Sequence, residues 1–285
     1  MEPVSPLNRR SPIQGVKELL IGAAGTGKTI SLATWLDAGV TPFCIFTEPT
    51  YSSLGKKLDE IHWAYRPPGS IPWADLIKSS RLINTLTYQQ LCKLDDINKR
   101  QYDQFIGFLT LNNNFKCEHC GKEFGDVDTW GTDRVLVWDS LSGLSYMAKT
   151  QMVGSKPVMD QGDYGVAMDN LESVIRKAVY STRCHFVLVS HLEPERDEVT
   201  GASTLMASTL GRKLAPKLPQ LFNDVIISHR VVDKFTWSVI DPGTQAVARH
   251  LPFRADLQPS FVPVVEAWKA RGGIIEHDAK QAEAS

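Results

Sequence analysis

The run Gly22-Ala23-Ala24-Gly25-Thr26-Gly27-Lys28-Thr29 fits G-x-x-x-x-G-K-[ST] at every fixed position. Each residue type has a chemical reason to be there. Glycines let the backbone curl until several N–H groups face one anion. A helix beginning at the end of the run adds the positive end of its dipole. Lys28 has the reach and charge to meet the β- and γ-phosphates of a nucleoside triphosphate, and the Thr29 hydroxyl is placed to hold Mg²⁺. The competing reading, a glycine-rich turn ahead of a helix, gives way to the complete pattern.

Three more polar residues close apolar runs. Glu48 follows residues 43–47 and precedes Pro49. A carboxylate at the C-terminal end of a parallel strand sits where ligands bind in open α/β sheets. There it polarises an attacking water; a solvated glutamate before a turn is the alternative, and both readings stay open. Asp139 ends the run Val135-Leu136-Val137-Trp138. This is the Walker B form, in which the carboxylate touches Mg²⁺ or a water on it. The next residue is Ser140, not Glu, so a catalytic glutamate has to come from elsewhere, and Glu48 is the candidate. His191 closes residues 185–191 beside Ser190. It reads as a sensor of the γ-phosphate or its water, against a satisfied surface histidine.

A separate cluster lies at Cys117-Glu118-His119-Cys120-Gly121, flanked by Phe115 and Phe124. Such a turn aims two thiolates at one point, as in a zinc knuckle. Zinc takes four ligands, and Cys92, His62 and His119 are completions without a persuasive spacing. A half-site completed across subunits, or a plain turn with two free thiols, remains open.

These residues need a scaffold. The chain has 285 residues, enough for one large α/β domain, and its 42% apolar content is that of a globular protein. Its apolar runs fall short of the ~18 residues that a membrane span needs. The N-terminus lacks a basic start followed by an apolar stretch, so a soluble, cytoplasmic protein is expected. Five cysteines without a secretory signal argue against a disulfide framework. A net charge of −1 gives no case for nucleic acid on charge alone. Core strands are expected at 16–21, 43–47, 134–140 and 185–191, with helices at 29–37 and 164–182. The apolar stripe Ala167, Leu171, Val174, Ile175, Ala178 marks the second helix as core. Residues 149–163 and 193–208 read as polar loops. A further strand is expected at 224–228, then a hairpin of 234–241 with 246–251 across Asp241-Pro242-Gly243. A short amphipathic piece is expected at 264–268. Residues 1–15 read as an arm, 51–133 as an irregular insertion and 272–285 as a mobile tail on one domain.

In this order of parts the chain resembles the RecA-type recombinase core. The phosphate loop 22–29, the Asp-Ser ending of 135–140 and Glu48 after the second strand carry the likeness. More narrowly, through residues 117–124, 135–144 and 197–223, it is similar to the phage-encoded short RecA-like ATPases of single-strand annealing and recombination. The resemblance covers about residues 16–268. It implies a mainly parallel sheet with helices on both faces and a C-terminal β-hairpin, and an ATP- and Mg²⁺-dependent ATPase. Glu48 would activate water, His191 would be the polar sensor, and loops 149–163 and 193–208 would face single-stranded DNA. It also implies self-association into a ring or filament. ATP would sit between subunits, and a neighbour's basic residue, from Arg212, Lys213, Lys217, Lys234 and Arg249, would reach the phosphates. The chain departs from RecA itself in the 51–133 insertion, the lack of a separate N-terminal domain and loops that are only modestly basic (Lys149, Lys156, Arg196).

Three functions follow. One is a DNA-dependent ATPase. Another is a nucleotide-switched loader whose main partner is a replication protein. The third is a small-molecule kinase, for which Arg196 would be the sole arginine of a lid.

Overall fold

The computed structural model describes residues 11–69, 72–94, 102–154, 156, 158–196, 203–211, 213–240 and 247–276. Along the chain run β1 (Lys17–Gly22), α1 (Lys28–Ser31), α2 (Thr34–Asp37), β2 (Thr41–Phe46), a 3₁₀ segment (Pro49–Glu60) and β3 (His62–Tyr65). Next come α3 (Trp73–Thr85), α4 (Tyr88–Leu91), α5 (Gln104–Asn113), β4 (Arg134–Asp139), α6 (Leu141–Val153) and α7 (Gln161–Ser181). The last elements are β5 (His185–Arg196), β6 (Ser203–Ala207), a 3₁₀ segment (Ala215–Leu221), β7 (Asp224–Val231), β8 (Lys234–Ser238) and α8 (Val262–Ala270).

The strands line up as β3-β2-β4-β5-β1-β7-β8, parallel from β3 to β7 and antiparallel at β7–β8. All six residues of β1 are buried, as are five of the six in each of β2 and β4. Strands covered on both faces have no need of alternation and read as apolar runs. One core packs α5, α6 and α7 against one face through Phe108, Leu144, Leu171 and Phe186. The other packs α2 and α8 on the opposite face through Trp35, Phe46, Trp237 and Trp268. This is an α/β fold with a mostly parallel sheet flanked by helices. Because β5 lies between β1 and β4, the loop after β1 and the end of β4 open onto one crevice at the C-terminal edge of the strands.

Several expectations are corrected. The helix expected at 29–37 is two short pieces, α1 and α2. The polar loop at 149–163 is mostly helix: α6 runs to Val153, because Met147, Ala148, Thr150 and Val153 all face inward. Gly154, at φ 55°, ends it, and α7 begins at Gln161 behind a capping box of Asp160 and Asp163. Likewise the described parts of the loop at 193–208 are paired strands: β5 continues past His191 and pairs antiparallel with β6 from Leu192–Ala207 to Arg196–Ser203. β8 pairs with β7 across the turn at Val232 and Asp233, and not with the described residues 247–251 of the expected partner. The reason is local: Val232 takes up a left-handed φ of 57° and closes the nearer turn. Residues 249–251 are instead drawn to Asp224, whose carboxylate accepts the N–H groups of Arg249, His250 and Leu251. Asp241-Pro242-Gly243 lies outside the described residues.

The 51–133 segment belongs to the main fold. It adds β3 to the sheet and sends Phe105, Phe108, Phe115 and Trp130 into the core. Both ends of the described chain are also tied in. Ser11 N–H donates to Glu276 Oε1 at 2.6 Å, Arg183 donates to the same oxygen at 2.9 Å, and the Thr132 hydroxyl donates to Ile274 O at 2.6 Å. Residues 1–10 of the arm and 277–285 of the tail lie outside the described residues. No helix among the described residues is long and apolar enough to cross a membrane.

Candidate nucleotide site

The loop from Gly22 to Thr29 leaves β1 and wraps the start of α1. Gly25 and Gly27 take φ values of 74° and 85°, which a side chain disfavours. At Gly22 a Cβ would come 2.6 Å from Ser228 O, so this position is closed by contact as well. Ser228 Oγ donates to Thr26 O at 2.8 Å and ties the loop to β7. Lys28 Nζ donates to Gly22 O at 2.7 Å and Ala23 O at 2.8 Å, which folds it back over the loop. Burial lowers its pKa, against the pull of Asp139 and Glu48.

The other sequence candidates converge here. Thr29 Oγ1 donates to Asp139 Oδ2 at 2.7 Å. Glu48 accepts Ser140 Oγ at 2.6 Å on Oε1, and its Oε2 lies 3.2 Å from His191 Nε2. Glu48, Asp139 and His191 thus line one cavity of about 590 Å³ with residues 24–30 of the loop. The hydrogen bond with His191 holds the Glu48 carboxyl below its ordinary value, against burial, and Ser140 adds to the lowering. Asp139 goes the other way: burial pushes it up to about 6, although the Thr29 hydroxyl opposes the rise.

A buried carboxylate and a threonine hydroxyl, held together, are the oxygen donors that Mg²⁺ favours. Thr29 and Asp139 therefore fit the ion. When bound it would neutralise charge on the phosphate oxygens.

Other residues at this cavity carry no signal in the sequence. Ser140, standing where a glutamate would follow Asp139, donates its hydroxyl to Glu48 and holds that carboxylate in place. Thr47 braces the same turn, donating to Ser140 O and accepting Ser140 N–H, both at 2.9 Å. Thr50 donates to Asp139 at 3.3 Å. Arg230 and Phe235 close the cavity from β7 and β8. The Arg230 guanidinium lies 5.3 Å from the Phe235 ring centre, and that ring packs against Gly27. No spacing marks these two, since a hairpin brings them to the loop.

Of the basic residues weighed for a neighbouring site, Lys217 is engaged by Glu172 at 2.9 Å, and Arg249 sits beside Asp224 at the opposite edge of the sheet. Lys213 and Lys234 are exposed; Arg212 lies outside the described residues. Near the cysteine turn, His62 comes within 3.7 Å of Cys120 Sγ, while His119 Nδ1 instead lies 3.7 Å from Asp59.

Sheet order, phosphate loop and the Thr29–Asp139 pair together define a P-loop nucleoside-triphosphatase core. The family described as an AAA domain matches residues 14–250, and the chain belongs to it. It is an AAA-type P-loop ATPase domain. No curated protein matches the chain. Among solved structures it is similar to one described as a prototypical ATPase from the type III secretion system of pathogenic bacteria. The two share 9% identity with a TM-score of 0.41, over 76% of this chain and 52% of that one. The chain thus spans about half the length of that structure.

Proposed function

We propose that this chain is a Mg²⁺-dependent, RecA-like ATPase, phage-encoded and cytoplasmic, that assembles into a ring or filament and acts on single-stranded DNA in annealing or recombination. One observation carries the reading. His191, which touches Glu48, is also the root of the β5–β6 hairpin. Ser208 N–H donates to His191 O at 2.8 Å where the hairpin returns, and the register begins at the next residue, Leu192. A change at the γ-phosphate felt by Glu48 and His191 therefore has a direct route into the hairpin, and the hairpin's state a route back.

In the reaction Glu48 orients water for in-line attack and accepts its proton. Lys28 offsets charge on the phosphate oxygens, and an exposed basic residue of a neighbour, Lys213 or Lys234, completes the site. On the DNA side Lys156 is already paired with Asp160 and Asp163, at 3.5 and 2.9 Å. Backbone contacts to DNA then fall to Lys149 and the hairpin.

Steady-state ATP hydrolysis with and without single-stranded DNA, with Lys28→Ala as blank, tests the reading. Stimulation by DNA, with affinity falling steeply as salt rises, is expected. Flat turnover, or salt-insensitive binding, would overturn it. Helix α3 favours a second reading in that event. It buries none of its residues, and Trp73 is 82% exposed. A face of that kind suits a protein partner, and ATP-dependent capture of a replication protein would select the loader.

A further inference from the structure

The cysteine turn and β3 are remote in sequence but meet at one point. The ligand atoms of His62, Cys117 and Cys120 all lie within 4.8 Å of one another. We propose that these three residues bind one Zn²⁺ and that the ion clasps the 117–120 turn to β3, the edge strand of the sheet.

The distances suit the ion. Zn–S bonds of about 2.3 Å and Zn–N bonds of about 2.0–2.1 Å, at tetrahedral angles, place a sulfur and a nitrogen about 3.5 Å apart. Cys120 Sγ and His62 Nδ1 are 3.7 Å apart. The backbone has already made the turn. Cys117 N–H donates to Lys122 O at 2.9 Å, Gly121 N–H donates to Cys117 O at 3.0 Å, and Gly121 takes the left-handed φ of 70° that the tight bend requires. A bridge between Lys116 and Glu123 closes the knuckle below. The third ligand is held to the turn independently of any ion. Glu118 N–H donates to Trp63 O at 2.8 Å, and the His62 ring packs on Phe124, with centres 4.3 Å apart. Both the knuckle and its target strand are therefore positioned by contacts that do not involve the sulfurs.

Cys117 is buried, His62 half-buried and Cys120 exposed, so the fourth position faces solvent and is filled by water. The balance is simple. Both thiols give up their protons to bulk solvent, the imidazole binds through its neutral nitrogen, and the site gains no net charge. The ion joins β3, whose His62 pairs with Phe43 of β2, to a knuckle that packs on the same Phe43 through Phe115 and Phe124. It would lock the edge strand next to the one that delivers Glu48. The assignment is independent of the DNA reading.

The test titrates metal-stripped full-length protein with Co²⁺ and then Zn²⁺. Expected is one Co²⁺ per chain with thiolate-to-cobalt charge transfer and tetrahedral d–d bands, displaced by one Zn²⁺. Cys120→Ser and His62→Ala should abolish the thiolate spectrum, while Cys92→Ser should leave it intact. His62→Cys should restore binding with a red-shifted spectrum. Because Cys120 is exposed, Cys120→Ser should retain the fold, checked by its circular dichroism. Absence of a thiolate band in the unaltered chain would overturn the site. An unchanged spectrum in Cys120→Ser or His62→Ala would do the same.

Discussion

Glu48 hangs between two donors, Ser140 and His191, and each can be removed separately. Glu48→Gln keeps the shape but cannot take a proton, so kcat is expected to fall about 10²- to 10³-fold while ATP binding persists. Comparing nucleotide binding with single-turnover hydrolysis checks this, and normal hydrolysis would remove Glu48 from the mechanism. Lys28→Ala should abolish turnover altogether. Ser140→Ala makes a subtler prediction. The hydrogen bond from Ser140 helps to hold the Glu48 carboxyl down, so its loss raises that pKa. A base works above its pKa, and the acidic limb of the kcat/KM profile should therefore move toward neutral pH. An unmoved limb with a lowered rate would mean that Ser140 acts only on geometry.

At the scale of the element, two neighbouring strands carry a buried acid pair. Glu18 of β1 stands opposite Asp224 of β7. Burial, and then the Asp224 charge, push Glu18 well above its ordinary value. Burial would raise Asp224 too, but the His250 imidazole and the N–H groups at 249–251 win and hold it low. Glu18 therefore keeps its proton in the folded chain and loses it in the unfolded chain once pH passes about 4.5. The folded state then binds more protons, and stability declines as pH rises above that value. Glu18→Gln supplies a permanent donor to Asp224. It should stabilise the protein at pH 8 by about 1–3 kcal/mol and flatten the decline. Urea midpoints at pH 5 and pH 8 measure both effects, and equal losses at the two values would refute the protonated pair.

The whole molecule has an opposite sensitivity to acid. His185, wholly buried between Trp35 and Trp268, accepts Val16 N–H on Nδ1 at 3.1 Å. Burial lowers its pKa from 6.5 to about 3. As pH falls below 6.5 the unfolded chain takes up a proton that the folded chain refuses, so stability is lost between 6.5 and 3. The full span amounts to on the order of 5 kcal/mol. His185→Phe keeps the ring packing but leaves the Val16 N–H without its acceptor. It is expected to be less stable than the parent at pH 8 yet to lose less between pH 6.5 and 4, as followed by thermal melts. A parallel acid slope in both proteins would assign the sensitivity elsewhere.

The phosphate loop, the four core strands and the positions of Glu48, Asp139 and His191 at strand ends are legible because their signals are local. A P-loop needs its glycines and Lys-Thr at fixed spacing, and a strand buried on both faces shows as an unbroken apolar run. The long polar stretches were misread for the converse reason. Residues 149–153 look polar, but α6 buries one face of them, and residues 193–207 show no run until β5 and β6 pair. Composition and spacing determined that this chain folds as an α/β nucleotide-binding core with carboxylates at the strand ends. Only the tertiary structure decided which partners those residues meet: Ser140 on Glu48, Arg230 and Phe235 on the loop, and His62 beside Cys117 and Cys120. Each of these meetings joins segments through strand order or a hairpin, and a contact of that kind leaves no periodicity in the chain.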